Sequence, residues 1–221
     1  MSNHYYSEKP TVESDRKTWT FQLKDFLFTF QSDRGVFSKN EVDFGSRLLI
    51  ETFLPPDVSG DYLDVGCGYG PIGLSLAKSF NKQVDMIDIN ERAIELAKDN
   101  AALNKVENVN IFQSNQFENI SEDRKYAAVL TNPPIRAGKQ VVHSIFEKSF
   151  EHLEQEGELW IVIQKKQGAP SAMDKLNEMF NEVEVVEKKK DLLYHKSKKE
   201  LTPFFCCVSI IKCQYIISIT I

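Results

Sequence analysis

The sequence predicts an α/β fold: a doubly wound, mostly parallel sheet with helices on both faces, preceded by a β-hairpin and a helix. Three observations predict it. From residue 61 onward, short apolar runs alternate with helical stretches. The first run, Leu63-Asp64-Val65, opens into the glycine-rich loop Gly66-Cys67-Gly68-Tyr69-Gly70. A later run, Ala127-Ala128-Val129-Leu130, ends at Asn132-Pro133-Pro134.

The elements follow in order. Trp19, Phe21 and Leu23 alternate, as do Phe26, Phe28 and Phe30, with Lys24-Asp25 between them; this is a hairpin pattern. An amphipathic helix is expected over 41–53, closed by Pro55-Pro56. Strands are expected at 62–65, 84–88, 109–112, 127–131, 158–164 and 183–186. Helices are expected at 72–80, at 141–153, at 172–180, and after Asn90, a residue suited to capping. No repeat or low-complexity linker divides the chain. We read residues 1–18 as a mobile start, 19–190 as one domain including the hairpin and helix, and 191–221 as an atypical tail.

Composition sets the bounds. The chain has 221 residues with 42% hydrophobic and 27% charged residues, an ordinary globular balance. The start, Met1-Ser2-Asn3-His4-Tyr5, has no basic residue followed by an apolar block, so no signal peptide is expected. The apolar tail is interrupted by Lys212 and Gln214, which argues against a membrane helix. A cytoplasmic location is expected. Cys67, Cys206, Cys207 and Cys213 form no CxxC pair, and His4, His143, His152 and His195 are scattered, so no metal site is expected. Charge is uneven. Residues 1–123 carry 12 Lys and Arg against 20 Asp and Glu, net −8; residues 124–221 carry 15 against 12, net +3. That asymmetry permits a polyanionic partner on one face and equally describes solvated surface charge.

The loop after the first strand reads as a cofactor site. Glycines let the backbone approach a ligand and adopt positive φ, and the ligand then meets a helix N-terminus. Gly68-x-Gly70-x-x-Gly73 also fits a dinucleotide fingerprint, and Asp88 at the second strand's end would serve a ribose in either case. Asp64 bears on the choice: Leu63-Asp64-Val65-Gly66-Cys67-Gly68 resembles motif I of class I methyltransferases, where the acid serves a cationic methionine end, whereas an anionic pyrophosphate would gain nothing from a carboxylate there. Asn132-Pro133-Pro134 supplies the reaction. An exocyclic amine on a base has its lone pair delocalised into the ring, and must become tetrahedral to attack a methyl group. Acceptors aimed at its N–H groups favour that change, and the Asn132 side-chain oxygen and Pro133 carbonyl supply them. Two prolines fix the backbone and carry no competing donor.

Together these segments resemble class I S-adenosylmethionine-dependent methyltransferases, and in particular the RsmC-like ribosomal RNA guanine-N2 methyltransferases, over about residues 20–190. The family-specific stretches are Gly35-Val36-Phe37-Ser38, Asp43-Phe44-Gly45-Ser46 and Asn132-Pro133-Pro134-Ile135-Arg136-Ala137-Gly138-Lys139. The resemblance implies a Rossmann-like, seven-stranded sheet with a reversed last strand. It implies S-adenosylmethionine as cofactor, held by Asp64, Gly66, Cys67, Gly68, Gly70, Asp88, Ile89, Asn115 and Asn132. It implies catalysis at Asn132, Pro133 and Pro134, and an RNA partner, ribosomal RNA or the small ribosomal subunit. Phe37, Ser38, Ile135, Arg136 and Lys139 are then the candidate substrate contacts, with Lys165 and Lys166 extending a basic rim.

The chain departs from the pattern at several points. Ile135 stands where many amine methyltransferases have an aromatic residue that stacks on the target, which leaves Phe37 as the stacking candidate. Asn115 replaces the frequent Asp near the adenine. The best-known members of the family carry a second, degenerate methyltransferase domain at the N-terminus; none is expected here, so RNA specificity is expected to come from other surfaces or an oligomer. Residues 191–221 lack the glycine-aromatic closing strand, and an altered reading frame or a lineage-specific extension would account for them. Other acceptors keep the same chemistry: adenine N6 or a protein glutamine amide. A cofactor-binding RNA-interaction protein without turnover is a further alternative, and a dehydrogenase is the last.

Overall fold

A computed structural model describes residues 8–38, 41–164 and 168–186, together with the backbone of 188–189, 192–193 and 215–220. The hairpin comes first: β1 (Lys17–Leu23) pairs antiparallel with β2 (Phe26–Ser32) in the register Leu23↔Phe26. Its fully buried Leu23, Phe28 and Phe30 belong to the main core, with Trp19, Phe21 and Phe26 packed against it, while Leu27 is exposed. Of the residues expected to be mobile, 8–16 are tied down. Ser14 Oγ donates to Asp33 Oδ2 at 2.7 Å, Asp15 N to Asp33 Oδ1 at 2.6 Å, and Arg92 Nη2 to Val12 O at 2.9 Å.

Helix α1 (Phe44–Thr52) starts later than expected because Asp43 caps it. Alternation then runs through β3 (Tyr62–Val65), α2 (Pro71–Phe80), β4 (Val84–Asp88), α3 (Glu91–Leu103), β5 (Val109–Gln113) and β6 (Tyr126–Thr131). After a 3-10 turn at Ile135–Ala137 come α4 (Lys139–Glu151), β7 (Leu153–Gln164), α5 (Ala169–Met179) and β8 (Glu182–Val185). The five strands β5-β4-β3-β6-β7 are parallel neighbours in that order.

Strand β11 (Tyr215–Thr220) lies antiparallel between β7 and β8. The reversed strand is therefore formed from the stretch read as tail, and the sheet extends beyond residue 190. Unpaired strands on either side of the slot need a partner, and Tyr215-Ile216-Ile217-Ser218-Ile219-Thr220 is rich in β-branched residues. Two short pieces, β9 (Lys188–Lys189) and β10 (Leu192–Leu193), pair with each other, and β10 with the end of β7, so among the described residues they add to the seven strands β5, β4, β3, β6, β7, β11 and β8.

Strand β7 shows that the sheet is covered on both faces. Trp160 and Val162 belong to the core cluster shared with the hairpin and α1–α3, while Leu159, Ile161 and Ile163 belong to the one shared with α4 and α5. β7 begins five residues earlier than the sequence suggests. Tyr126 pairs with Leu153 and Ala128 with Glu158, so a bulge takes up the residues between, with Glu156 at φ 63°.

The hairpin is fixed to α3 by two carboxamides. Asn104 Oδ1 accepts from Thr29 N at 2.8 Å, and its Nδ2 donates to Thr29 O at 2.7 Å. Asn100 treats Gln31 the same way, at 2.6 and 2.9 Å. Four residues of helix rise about 6 Å and two residues of strand nearly 7 Å, so the side chains match the spacing of the β2 edge.

Candidate active site

The order β4-β3-β6-β7 reverses between β3 and β6, and a crevice opens beyond the carboxyl ends of those strands. It holds a pocket of about 310 Å³. One wall is the glycine loop. Gly66 N and Cys67 N both donate to Ile87 O, at 2.8 and 2.9 Å, and Gly68 N donates to Asp88 Oδ2 at 2.9 Å. Gly66 and Gly68 have φ of 75° and 57°, and a Cβ on either would project into open space. The backbone is thereby bare toward the pocket. Cys67 also lines it, and burial pushes its thiol up.

Asp88 lines the pocket, with Oδ1 accepting from Asn90 N at 2.8 Å. Burial raises its carboxyl to about 6 against the pull of the backbone donors. Asp64 behaves differently from expectation. It is fully buried and does not line the pocket; its Oδ2 accepts from Gly73 N at 2.8 Å and pins the first turn of α2. Its Oδ1 has no hydrogen-bond partner, and burial lifts the carboxyl to about 7. Gly70 is likewise outside the lining: it caps α2 at φ 98°, where a Cβ would come within 3.0 Å of Leu74. Ile89 and Asn115 do line the pocket, and Asn115 Nδ2 is held by Glu118 Oε1 at 2.8 Å.

The opposite wall is Asn132-Pro133-Pro134. Thr131 Oγ1 donates to Val65 O at 2.9 Å, stitching the end of β6 to the start of the glycine loop. Asn132 Nδ2 donates to Ser46 Oγ at 3.1 Å and to both Asp43 carboxylate oxygens at 3.3 Å. The Pro133 carbonyl already accepts from Ile135 N at 2.8 Å, so only its second lone pair remains for a ligand. Phe37, 44% exposed, and Ser38 lie along the rim, with Ser38 Oγ donating to Glu41 O.

The other substrate candidates are not in the lining. Ile135 packs against the α4–α5 core. Arg136 sits in the 3-10 turn and Lys139 opens α4, both just behind Pro134. Lys165 and Lys166 lie outside the described residues. Sequence reasoning missed Asp43, Ser46 and Tyr69 as site residues. The cap sequence Asp43-Phe44-Gly45-Ser46 is visible in the chain, but its meeting with Asn132, 89 residues on, is not.

Among the described lining residues are the carboxylates Asp43 and Asp88 and no Lys or Arg. Since Asp88 suits a ribose in either case, Asp43 is the carboxylate that favours a cationic ligand over an anionic one here. Among the described residues no cluster of His, Cys, Asp and Glu is arranged to hold a metal, and no helix is long and apolar enough to cross a membrane.

This sheet order, with a glycine loop after β3 and Asn-Pro-Pro after β6, defines a Rossmann-like methyltransferase domain. The "Methyltransferase small domain" family model matches residues 27–194, and the chain belongs to that family. It is 63% identical over 200 residues to "Uncharacterized protein YbxB" of Bacillus subtilis (strain 168), covering 90% of this chain and all of that protein. It is 38% identical over 151 residues to "Ribosomal RNA small subunit methyltransferase C" of Psychromonas ingrahamii, covering 66% of this chain and 42% of the relative. The chain spans about half the length, or less, of the small-subunit methyltransferase C relatives it matches. Among solved structures, the T. thermophilus 16S rRNA N2 G1207 methyltransferase (RsmC), in complex with AdoMet and guanosine, superposes with a TM-score of 0.72 at 22% identity, over 82% of this chain and 50% of that one. The likeness is one of fold.

Proposed function

We propose that this protein transfers a methyl group from S-adenosylmethionine to the exocyclic N2 amine of guanine in RNA of the small ribosomal subunit. The observation that carries the reading is the pairing, in one pocket, of a bare glycine loop with the Asn132-Pro133-Pro134 wall. The acidic lining fits a sulfonium cofactor. Gly66 and Gly68 leave space against the backbone, Asp88 keeps lone pairs for ribose hydroxyls, and Ile89 and Asn115 stand where an adenine would lie.

When bound, the cofactor supplies an activated methyl carbon: the amine lone pair forms the N–C bond as the C–S bond breaks, its electron pair goes to sulfur, and the nitrogen's proton passes to water. The residues supply alignment and charge stabilisation. The Asn132 oxygen accepts from the amine N–H, drawing the nitrogen out of conjugation as positive charge grows there. The free lone pair of the Pro133 carbonyl is a second acceptor. Phe37 offers a face for a base that has left its stack. RNA of the small subunit is favoured by the names of the relatives, and N2 of guanine by the resemblance of the Asn132–Lys139 segment.

The test is methylation with tritiated S-adenosylmethionine, using small subunits and naked ribosomal RNA, followed by nucleoside analysis. N2-methylguanosine is expected. Label in N6-methyladenosine or in protein would replace the acceptor, and absence of transfer to every acceptor would leave a cofactor-binding protein without turnover.

A further inference from the structure

A carboxamide has two ends, an oxygen that accepts and an NH2 that donates. The role of Asn132 needs the oxygen toward the amine. The Asn-Pro-Pro turn does not select that end, because half a turn about the terminal torsion exchanges the two. The selection comes from α1. Asn132 Nδ2 lies 3.3 Å from both oxygens of Asp43 and 3.1 Å from Ser46 Oγ. The Ser46 hydroxyl also pulls the Asp43 carboxyl down, as a hydroxyl turned toward it does, and its lone pairs then face Asn132. Burial pushes the Asp43 carboxyl up, and the hydrogen bonds from Ser46, Gly45 and Asn132 pull it back down; in its ionised form it has no hydrogen to give, and this corner then accepts only the NH2 end.

We propose that Asp43, assisted by Ser46, is a positioning residue that holds the Asn132 carboxamide with its oxygen toward the acceptor amine. The proposal rests on the reading of Asn132 given above and adds to it the group that makes that reading work. Asp43 serves two tasks at once. Oδ1 caps α1, accepting from Gly45 N at 2.9 Å and Ser46 N at 3.3 Å, and it also accepts from Asn132 Nδ2, which Oδ2 receives at the same 3.3 Å. The helix start and the reactive turn are thereby held by one side chain.

Asp43→Asn separates the two tasks. Its remaining oxygen can still cap the helix, but its NH2 stands where Oδ2 was, against the NH2 of Asn132. Asn132 is expected to turn over and offer its NH2 to the pocket. The turnover rate should fall roughly ten- to a hundredfold, the usual effect of losing an orienting partner. The melting temperature should stay near wild type, and saturating S-adenosylmethionine should not restore the rate. In an Asn132→Ala background the same change should cost nothing further. Wild-type turnover in Asp43→Asn, or an equal loss in both backgrounds, overturns the proposal. If Asp43→Asn does not fold, Ser46→Ala enters the same cycle, with a loss of roughly two- to fivefold expected for one neutral hydrogen bond; no loss overturns the proposal. A readout free of activity separates this from the reading beneath it. The Asn132 side-chain NH2 signal, identified by its disappearance in Asn132→Ala, should exchange slowly with water in the wild type and faster in Asp43→Asn. Unchanged exchange overturns the positioning role alone, whereas a fully active Asn132→Ala overturns the catalytic reading.

Discussion

Gly68 and Asp88 are joined across two strands: the Gly68 N–H, in the loop after β3, donates to Asp88 Oδ2 at the end of β4 at 2.9 Å. The bond sets the floor of the pocket and the height of the carboxylate above it. Asp88→Ala therefore loses both the clamp on the loop and the acceptor for ribose hydroxyls. Calorimetry should show S-adenosylmethionine binding weakened by about 1.5–3 kcal/mol, the scale for hydrogen bonds to a charged group. NAD should not bind to the wild type. Undiminished affinity in the variant would remove Asp88 from the cofactor site.

The buried carboxyls make stability depend on pH. Burial holds Asp64 at about 7 and Asp88 at about 6, above the ordinary carboxyl near 4 of an unfolded chain. Between roughly pH 4 and 7 the folded state therefore holds protons that the unfolded state lacks. Their contribution is fully present below the unfolded value and is lost as pH rises through 6 to 7. Denaturation of the free protein should show this loss, and Asp64→Asn should flatten the slope. Equal slopes in wild type and variant would show that Asp64 does not titrate in this range.

Asn132→Ala should leave S-adenosylmethionine affinity near wild type. It should lower the methylation rate about 100-fold, the scale for one lost transition-state hydrogen-bonding group. Single-turnover kinetics at saturating cofactor would measure it; a rate within a few-fold of wild type is incompatible with the proposed chemistry.

The signals legible in the sequence were local. Apolar runs that end in glycine or proline located β3 and β6, and Asn90 located the start of α3, where its side chain accepts from Arg92 N and Ala93 N. What was not legible depends on the third dimension. The bulge before Glu158 was hidden because Leu153 suits a helix end and a strand start equally well. Asp64 carries the right charge at the right place in the chain, yet strand alternation turns it under the loop toward α2 instead of into the pocket. Ile135 follows the reactive turn in sequence but packs into the core. The Asp43–Asn132 contact joins two segments that no local pattern connects.

Arg136 and Lys139 flank the turn that carries Asn132 without lining the pocket, a placement suited to phosphates on either side of an extruded base. Arg136→Ala and Lys139→Ala should each weaken RNA binding and lower its salt dependence by about one unit in the log–log slope, with cofactor affinity unchanged. Normal methylation across a salt series in both variants would place the RNA on another face.

The two carboxamides on α3 have a consequence for assembly. An outer strand ordinarily presents a row of free N–H and C=O groups that any passing extended segment can join. On β2 the groups of Thr29 and Gln31 are already taken by Asn104 and Asn100. Each amide both gives and receives a hydrogen, so a carboxylate in its place would leave a strand carbonyl without its donor. The helix thus acts as a counterfeit neighbour, and this hairpin edge is closed to recruitment by a second chain.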